Sequence, residues 1–111
     1  GVQTCALPIY STEGQNQVKA IISGYMENAD IIRKQMEALG FTYSGGHHSP
    51  YIWVDVQSDS WKLFDKLLKK AGVVCTPGAG FGPCGSRYIR LSAFNSRENV
   101  ERAMDRISKA M

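Results

Sequence analysis

The 111-residue chain sets 13 lysines and arginines against 10 acidic residues, a formal net charge of +3, with 43% hydrophobic and 21% charged residues. This is the composition of one ordinary globular domain with room for a modest core. Its basic residues are scattered rather than blocked, which argues against a nucleic-acid surface, and no apolar run reaches membrane-spanning length. The amino terminus lacks the pattern of a signal peptide, so the expected location is the cytoplasm. Cys5, Cys75 and Cys84 form no CxxC pair and leave an odd count, which fits reduced thiols better than a disulfide framework.

The first nine residues, GVQTCALPI, match neither a helical nor a strand period and resemble the conceptual translation of a sequencing-library adapter. They are set aside as a non-native leader, with the domain expected over residues 10–111. Thr12 and Gln15 then have capping-box spacing. Behind them Val18, Ile21, Ile22, Tyr25, Met26, Ala29, Ile32, Met36 and Leu39 recur at helical spacing up to Gly40. The pattern predicts a long amphipathic helix over 12–39, with Gly24 placed to bend it and Asp30 and Lys34 as an exposed i,i+4 pair.

Phe41–Tyr43 reads as a short strand, followed by turn chemistry from Ser44 to Pro50. The adjacent His47 and His48 raise the question of a metal. Neighbours on an extended chain point apart, and the cysteines lack a ligand spacing, so an exposed loop or a pocket wall is the better reading. Tyr51–Val56 alternates Ile52, Val54 and Val56 against Tyr51, Trp53 and Asp55, and both faces are apolar enough for a central strand. Ser60 is expected to cap a helix that buries Trp61, Phe64, Leu67, Leu68 and Ala71 and ends at Gly72. Lys66, Lys69 and Lys70 in its last turns complement the helix dipole.

A short buried strand, Val73–Cys75, leads into a loop in which Gly80, Gly82 and Gly85 literally satisfy GxGxxG. That fingerprint has to open a helix, whereas here Pro83 sits inside the loop and an alternating strand, Tyr88–Phe94, follows it. The glycines are therefore read as letting the backbone approach a ligand or another surface closely. Within the strand, Ile89, Leu91 and Ala93 share one face and Tyr88, Arg90, Ser92 and Phe94 the other. This places Arg90 between an aromatic ring and a hydroxyl. A guanidinium there is either a solvent-facing charge or an anion clamp, its planar fork matching a carboxylate. Asn95 and Glu98 are spaced to cap a last helix with Val100, Ala103, Met104 and Ile107 as its core stripe and Arg102, Arg106 and Lys109 facing water. The predicted order is α-β-β-α-β-β-α, a small α/β domain whose mixed or antiparallel sheet is backed by helices.

Four motifs in register, GG-x-x-x-PYIWV from Gly45, SW-x-x-FDKLL from Ser60, VVCTPGAGFGP from Val73 and Y-x-RLSAF-x-SREN from Tyr88, resemble the carboxyl-terminal part of the LL-diaminopimelate aminotransferase family. The likeness covers residues 10–111. It implies the small domain of a fold-type I, pyridoxal-phosphate-dependent transaminase, a cytoplasmic homodimer of lysine biosynthesis. Such an enzyme interconverts LL-diaminopimelate plus 2-oxoglutarate with tetrahydrodipicolinate plus glutamate. Carried over by position, Arg90 grips the substrate carboxylate, and His48, Thr76, Gly78, Gly80 and Phe81 are candidates for the rim of the active site. The chain departs from the pattern at His48 and Ser49, where asparagine and alanine are expected, and at Ser86 and Arg87, where the family commonly reads Glu-Gly. These departures bear on substrate choice.

A pyridoxal-phosphate enzyme also needs a lysine for the cofactor, and all seven lysines here, at 19, 34, 62, 66, 69, 70 and 109, fall on predicted helices. The expectation is a fragment with no catalytic, cofactor-binding or metal-binding residue of its own, inactive without the large domain that completes it. The rival reading is a stand-alone α/β module that binds an amino or organic acid without chemistry, and a purely structural fragment comes third. For the leader, the encoding DNA should read as adapter sequence up to about Ile9. A native genomic locus continuing through those codons would refute this.

Overall fold

The structure, a computed structural model, describes residues 2–111. It begins with a helical turn, α1 (Val2–Ala6), and a 3-10 turn over Leu7–Tyr10. The expectation of no helical character for this stretch is thus corrected, because Pro8 and Ile9 offer carbonyls that the next helix uses. Gln15 Nε2 donates to Ile9 O and the Ser11 hydroxyl donates to Pro8 O. Helix α2 (Thr12–Ala38) is capped by Ser11, whose hydroxyl accepts from Gly14 N at 3.0 Å, one residue before the expected cap. With Gln15 turned back to Ile9, the reciprocal half of a capping box is not made.

Helix α2 continues unbroken through Gly24 for 27 residues, about 40 Å at 1.5 Å per residue. Only its second half packs on the domain: Asn28, Ala29, Ile32 and Met36 are buried, whereas Ile21 and Ile22 are 56% and 53% exposed. The apolar stripe predicted from Val18 onward is real in sequence but uncovered over its first half. Asp30 pairs with Arg33 rather than with Lys34.

Four strands follow the order β1-β2-β4-β3, every neighbour antiparallel. They are β1 (Thr42–Gly45), β2 (Tyr51–Asp55), β3 (Thr76–Pro77) and β4 (Tyr88–Ser92). Residues 73–75 are not a strand. Pairing is confined to Thr76 opposite Arg90 and Pro77 opposite Ile89, and Val74 stands 73% exposed beyond the paired edge. Between β2 and β3 lie α3 (Ser60–Lys66) and a π-helical turn, Leu67–Ala71, closed by Gly72 at φ 62°. Asp59, not Ser60, is the cap, its carboxylate accepting from Lys62 N at 3.0 Å. Trp61 and Leu68, seven residues apart and so on one line of the helix, are 56% and 42% exposed, against the expectation that both are buried. Leu67 and Ala71 are buried as expected, and Leu63 joins them in the core. The last helix, α4 (Arg97–Ala110), is capped by Ser96 rather than Asn95, with Val100, Met104 and Ile107 buried as its periodicity predicts.

One face of the sheet meets the helices. Ile52 and Val54 of β2 and Ile89 and Leu91 of β4 join Ala29, Ile32 and Met36 of α2 and the inner stripes of α3 and α4 in a single cluster. Each large aliphatic side chain buried there contributes about 1.5–3 kcal/mol. Strand alternation then obliges Tyr51, Trp53 and Asp55, and Tyr88, Arg90 and Ser92, to stand on the opposite, uncovered face. Apart from the added α1 and a third strand shifted to Thr76–Pro77, the predicted order of elements and the helix-backed antiparallel sheet are those observed.

The loop from Gly78 to Arg87 folds as two 3-10 turns, Gly78–Phe81 and Pro83–Gly85, joined by Gly82 at φ 125°. Two of its glycines approach each other: a Cβ on Gly85 would meet Gly78 O at 2.1 Å, and one on Gly78 would meet Gly85 O at 2.3 Å. Gly80 has open space where a Cβ would stand. Replacing Gly85 with alanine is therefore expected to cost about 2–3 kcal/mol of stability through overpacking, and Gly80→Ala less than about 0.5 kcal/mol. Urea unfolding of the two variants measures the difference, and equal midpoints would contradict the packing described.

Candidate functional site

Arg90 is the centre of the uncovered face. Strand β4 lies between β2 and β3, so Arg90 has Trp53 opposite it on one side and Thr76 on the other. Its guanidinium carbon sits 4.6 Å from the centroid of the Tyr51 ring and 5.0 Å from that of Phe81. Two aromatic contacts of this kind hold a guanidinium by cation–π attraction, each worth about 0.5–2 kcal/mol according to solvent exposure. Behind them Trp53 stacks on Tyr88 with centroids 5.4 Å apart and meets Phe81 edge-on at 5.6 Å.

Among the described residues no ion pair includes Arg90, and its Nε is buried without a hydrogen-bond partner. The carboxylate on the same face, Asp55, is taken by Arg87 in a two-bond fork, Nε to Oδ1 at 2.9 Å and Nη2 to Oδ2 at 2.7 Å. A buried charged donor left unpaired costs about 1–3 kcal/mol or more, a cost that an acceptor bound beside Arg90 would offset.

The loop that carries Phe81 is fastened from both ends. Ser60, fully buried, donates its N–H to Ser86 O at 2.8 Å, and its hydroxyl accepts from Ala79 N at 3.4 Å. Val56 N donates to Arg87 O at 3.0 Å, and the Arg87–Asp55 fork closes the same corner. From Arg90 an open groove of about 510 Å³ passes Thr76 and Ser92 over the sheet edge toward Asn99 and Arg102 of α4. Cys75 forms part of its wall. Burial pushes that thiol up to about 11, so it is protonated at neutral pH and acts as an apolar surface rather than a nucleophile.

Of the candidate residues, the structure brings Arg90, Thr76 and Phe81 together. Gly78 lies beneath Trp53, where its missing Cβ leaves room for the ring, and Gly80 is at the outer bend of the loop. His48 is exposed in the β1–β2 loop and makes none of the described hydrogen bonds, while its neighbour His47 meets Arg33 at 3.3 Å. Among the described residues no group of three or more His, Cys, Asp or Glu side chains converges as a metal site. The aromatic neighbour expected for Arg90 was Tyr88. The rings that hold it are Tyr51, from the adjacent strand, and Phe81, from the loop.

Residues 1–107 match the family "Aminotransferase class I and II". The chain belongs to that family. An LL-diaminopimelate aminotransferase from Desulfosudis oleivorans is 60% identical over 108 residues, covering 97% of this chain and 26% of that protein. Another from Desulforapulum autotrophicum is 60% identical over 111 residues, covering 99% and 27%. Among solved structures, the L,L-diaminopimelate aminotransferase from Chlamydomonas reinhardtii superposes with a TM-score of 0.93 at 40% identity, over 98% of this chain and 27% of that one. The chain thus spans about a quarter of the length of the relatives it matches.

Class I and II aminotransferases depend on pyridoxal phosphate, and this chain's own residues do not fit that group. Lys19 and Lys34 stand on α2, Lys62 and Lys66 on α3, Lys69 and Lys70 on the π-helical turn and Lys109 on α4. None lines the groove at Arg90.

The Asp55–Arg87 fork carries a pH dependence with a definite sign. The hydrogen bonds from Arg87 hold the Asp55 carboxyl below its ordinary value of 3.8. A depressed acid stabilises the fold above its unfolded value, and that contribution disappears as pH falls through the folded one. Asp55→Asn is therefore expected to lower the unfolding midpoint at pH 7, with the gap from the parent closing below about pH 4. A gap that does not narrow as pH falls below about 4 would contradict the assignment.

Proposed function

We propose that residues 10–111 are the carboxyl-terminal small domain of an LL-diaminopimelate aminotransferase. The whole enzyme interconverts LL-diaminopimelate plus 2-oxoglutarate with tetrahydrodipicolinate plus glutamate, in lysine biosynthesis. The observation that carries this reading is the unpaired guanidinium of Arg90 held between two rings. The 54–60% identity to proteins of that name supports the choice of substrate over other transaminases.

In this reading Arg90 binds the α-carboxylate of each amino acid or oxo acid in turn. All four substrates of the reaction carry a carboxylate next to the reacting carbon, so one planar fork serves both half-reactions. Fixing that carboxylate orients the reacting carbon, and the positioning is worth several kcal/mol of the barrier. Tyr51 and Phe81 hold the guanidinium by cation–π contact, which leaves its N–H groups free to bond a ligand. Thr76 and Phe81 belong to the rim. His48 is kept as a candidate for substrate choice from the loop before Tyr51. The lysine that anchors pyridoxal phosphate, and the second subunit of a homodimer, are assigned to polypeptide beyond these 111 residues. No described helix is long and apolar enough to cross a membrane, and the enzyme is proposed to work in the cytoplasm.

The test uses the complete enzyme. Arg90→Ala is expected to raise KM for LL-diaminopimelate and for glutamate about a hundredfold and to lower kcat. This corresponds to about 3 kcal/mol for losing a charge-paired fork. Arg90→Lys should fall between, since an ammonium keeps the charge without the fork. Run beside them, the 111-residue chain alone should transaminate nothing. Unchanged kinetics in Arg90→Ala would remove the assignment, and activity or tight acid binding by the isolated chain would favour a self-sufficient module.

A further inference from the structure

We infer that Asn28 is a positioning residue for Arg90, acting through Phe94 and Tyr51; this rests on the carboxylate role proposed for Arg90. Asn28 lies on the buried stripe of α2, only 3% exposed, where every other buried residue of that helix is apolar. An amide in such a place costs about 1–3 kcal/mol unless its bonds are made. Its Nδ2 donates to Asn95 O at 2.7 Å and to Ala93 O at 3.2 Å, the carbonyls on either side of Phe94. Ala93 N in turn donates to Pro50 O at 2.8 Å, fixing the residue just before Tyr51.

With the backbone held on both sides, the Phe94 ring is set edge-on between Tyr25 of α2, centroids 4.9 Å apart, and Tyr51, at 5.4 Å. Tyr51 is the ring against which Arg90 lies. The contacts therefore run without a gap from one buried amide on α2 to the guanidinium, and the place of α2 against the sheet sets the place of the fork. The Asn28 Oδ1 is buried without a partner, so the amide is retained for its donors.

A role confined to gluing α2 to the β4–α4 turn predicts something different, and kinetics separate the two. In the complete enzyme, Asn28→Leu keeps the number of side-chain heavy atoms and removes the donors. It is expected to raise KM for amino-acid and oxo-acid substrates about tenfold while kcat changes less than about threefold. Phe94→Leu, at a half-exposed position, should do the same and carries the test if Asn28→Leu does not fold. In the Arg90→Ala background neither substitution should raise KM further, because the effects pass through one residue. A lowered melting temperature with unchanged KM, or KM effects that multiply with Arg90→Ala, would overturn the inference. Unchanged KM in Arg90→Ala itself would instead refute the carboxylate role.

Discussion

A strand arginine can sit half-buried only if something answers its charge, and in this fold the answer is divided. The Tyr51 and Phe81 rings lie within 4.6 and 5.0 Å of its guanidinium carbon, while the carboxylate nearest in the register, Asp55, is already bound to Arg87. The rings stabilise the cation without neutralising it. The buried Nε keeps no hydrogen-bond partner among the described residues, and an acceptor bound there would offset its cost. Nearly every local feature of the uncovered face serves this arrangement. The other face is buried against three helices, so the sheet is a rigid plate from which Arg90 projects in a fixed direction.

Two devices hold the rings. Phe81 comes from a loop that folds flat because Gly78 and Gly85 pack backbone to backbone, with Ser60 and Arg87 fastening it to α3 and β2. Tyr51 is backed by Phe94, and Phe94 by α2. The first half of α2 is different in character. Its apolar residues are exposed here, and a chain spanning about a quarter of its relatives' length leaves most of such an enzyme's surface outside this structure.

Strand alternation made the two faces of β2 and β4 legible from sequence, and with them the side on which Arg90 stands. The element order followed from the same periodicities. Caps were misplaced by one residue at Ser11, Asp59 and Ser96 because each adjoins a second polar residue able to cap, and only backbone dihedrals decide between them. The stripe on α2 was overextended because periodicity marks an apolar face without saying what covers it. Of the three glycines read as permitting close approach, only Gly85 does so, against Gly78 of the same loop, while Gly80 and Gly82 have open space beside them. Tyr51 and Phe81 were out of reach as the holders of Arg90, because the one needs the β2–β4 register and the other the path of the loop. Asn28 gave no signal at all, being one polar residue in a helix that has many.

The central claim is that Arg90 receives a carboxylate between Tyr51 and Phe81. It is tested most directly by the crystal structure of the complete enzyme with a non-reactive dicarboxylate such as glutarate. The account predicts one carboxylate in the plane of the Arg90 guanidinium, its two oxygens about 2.7–2.9 Å from two nitrogens, with both rings flanking the pair. An acid bound elsewhere, with Arg90 instead paired to a carboxylate of the protein, would contradict it.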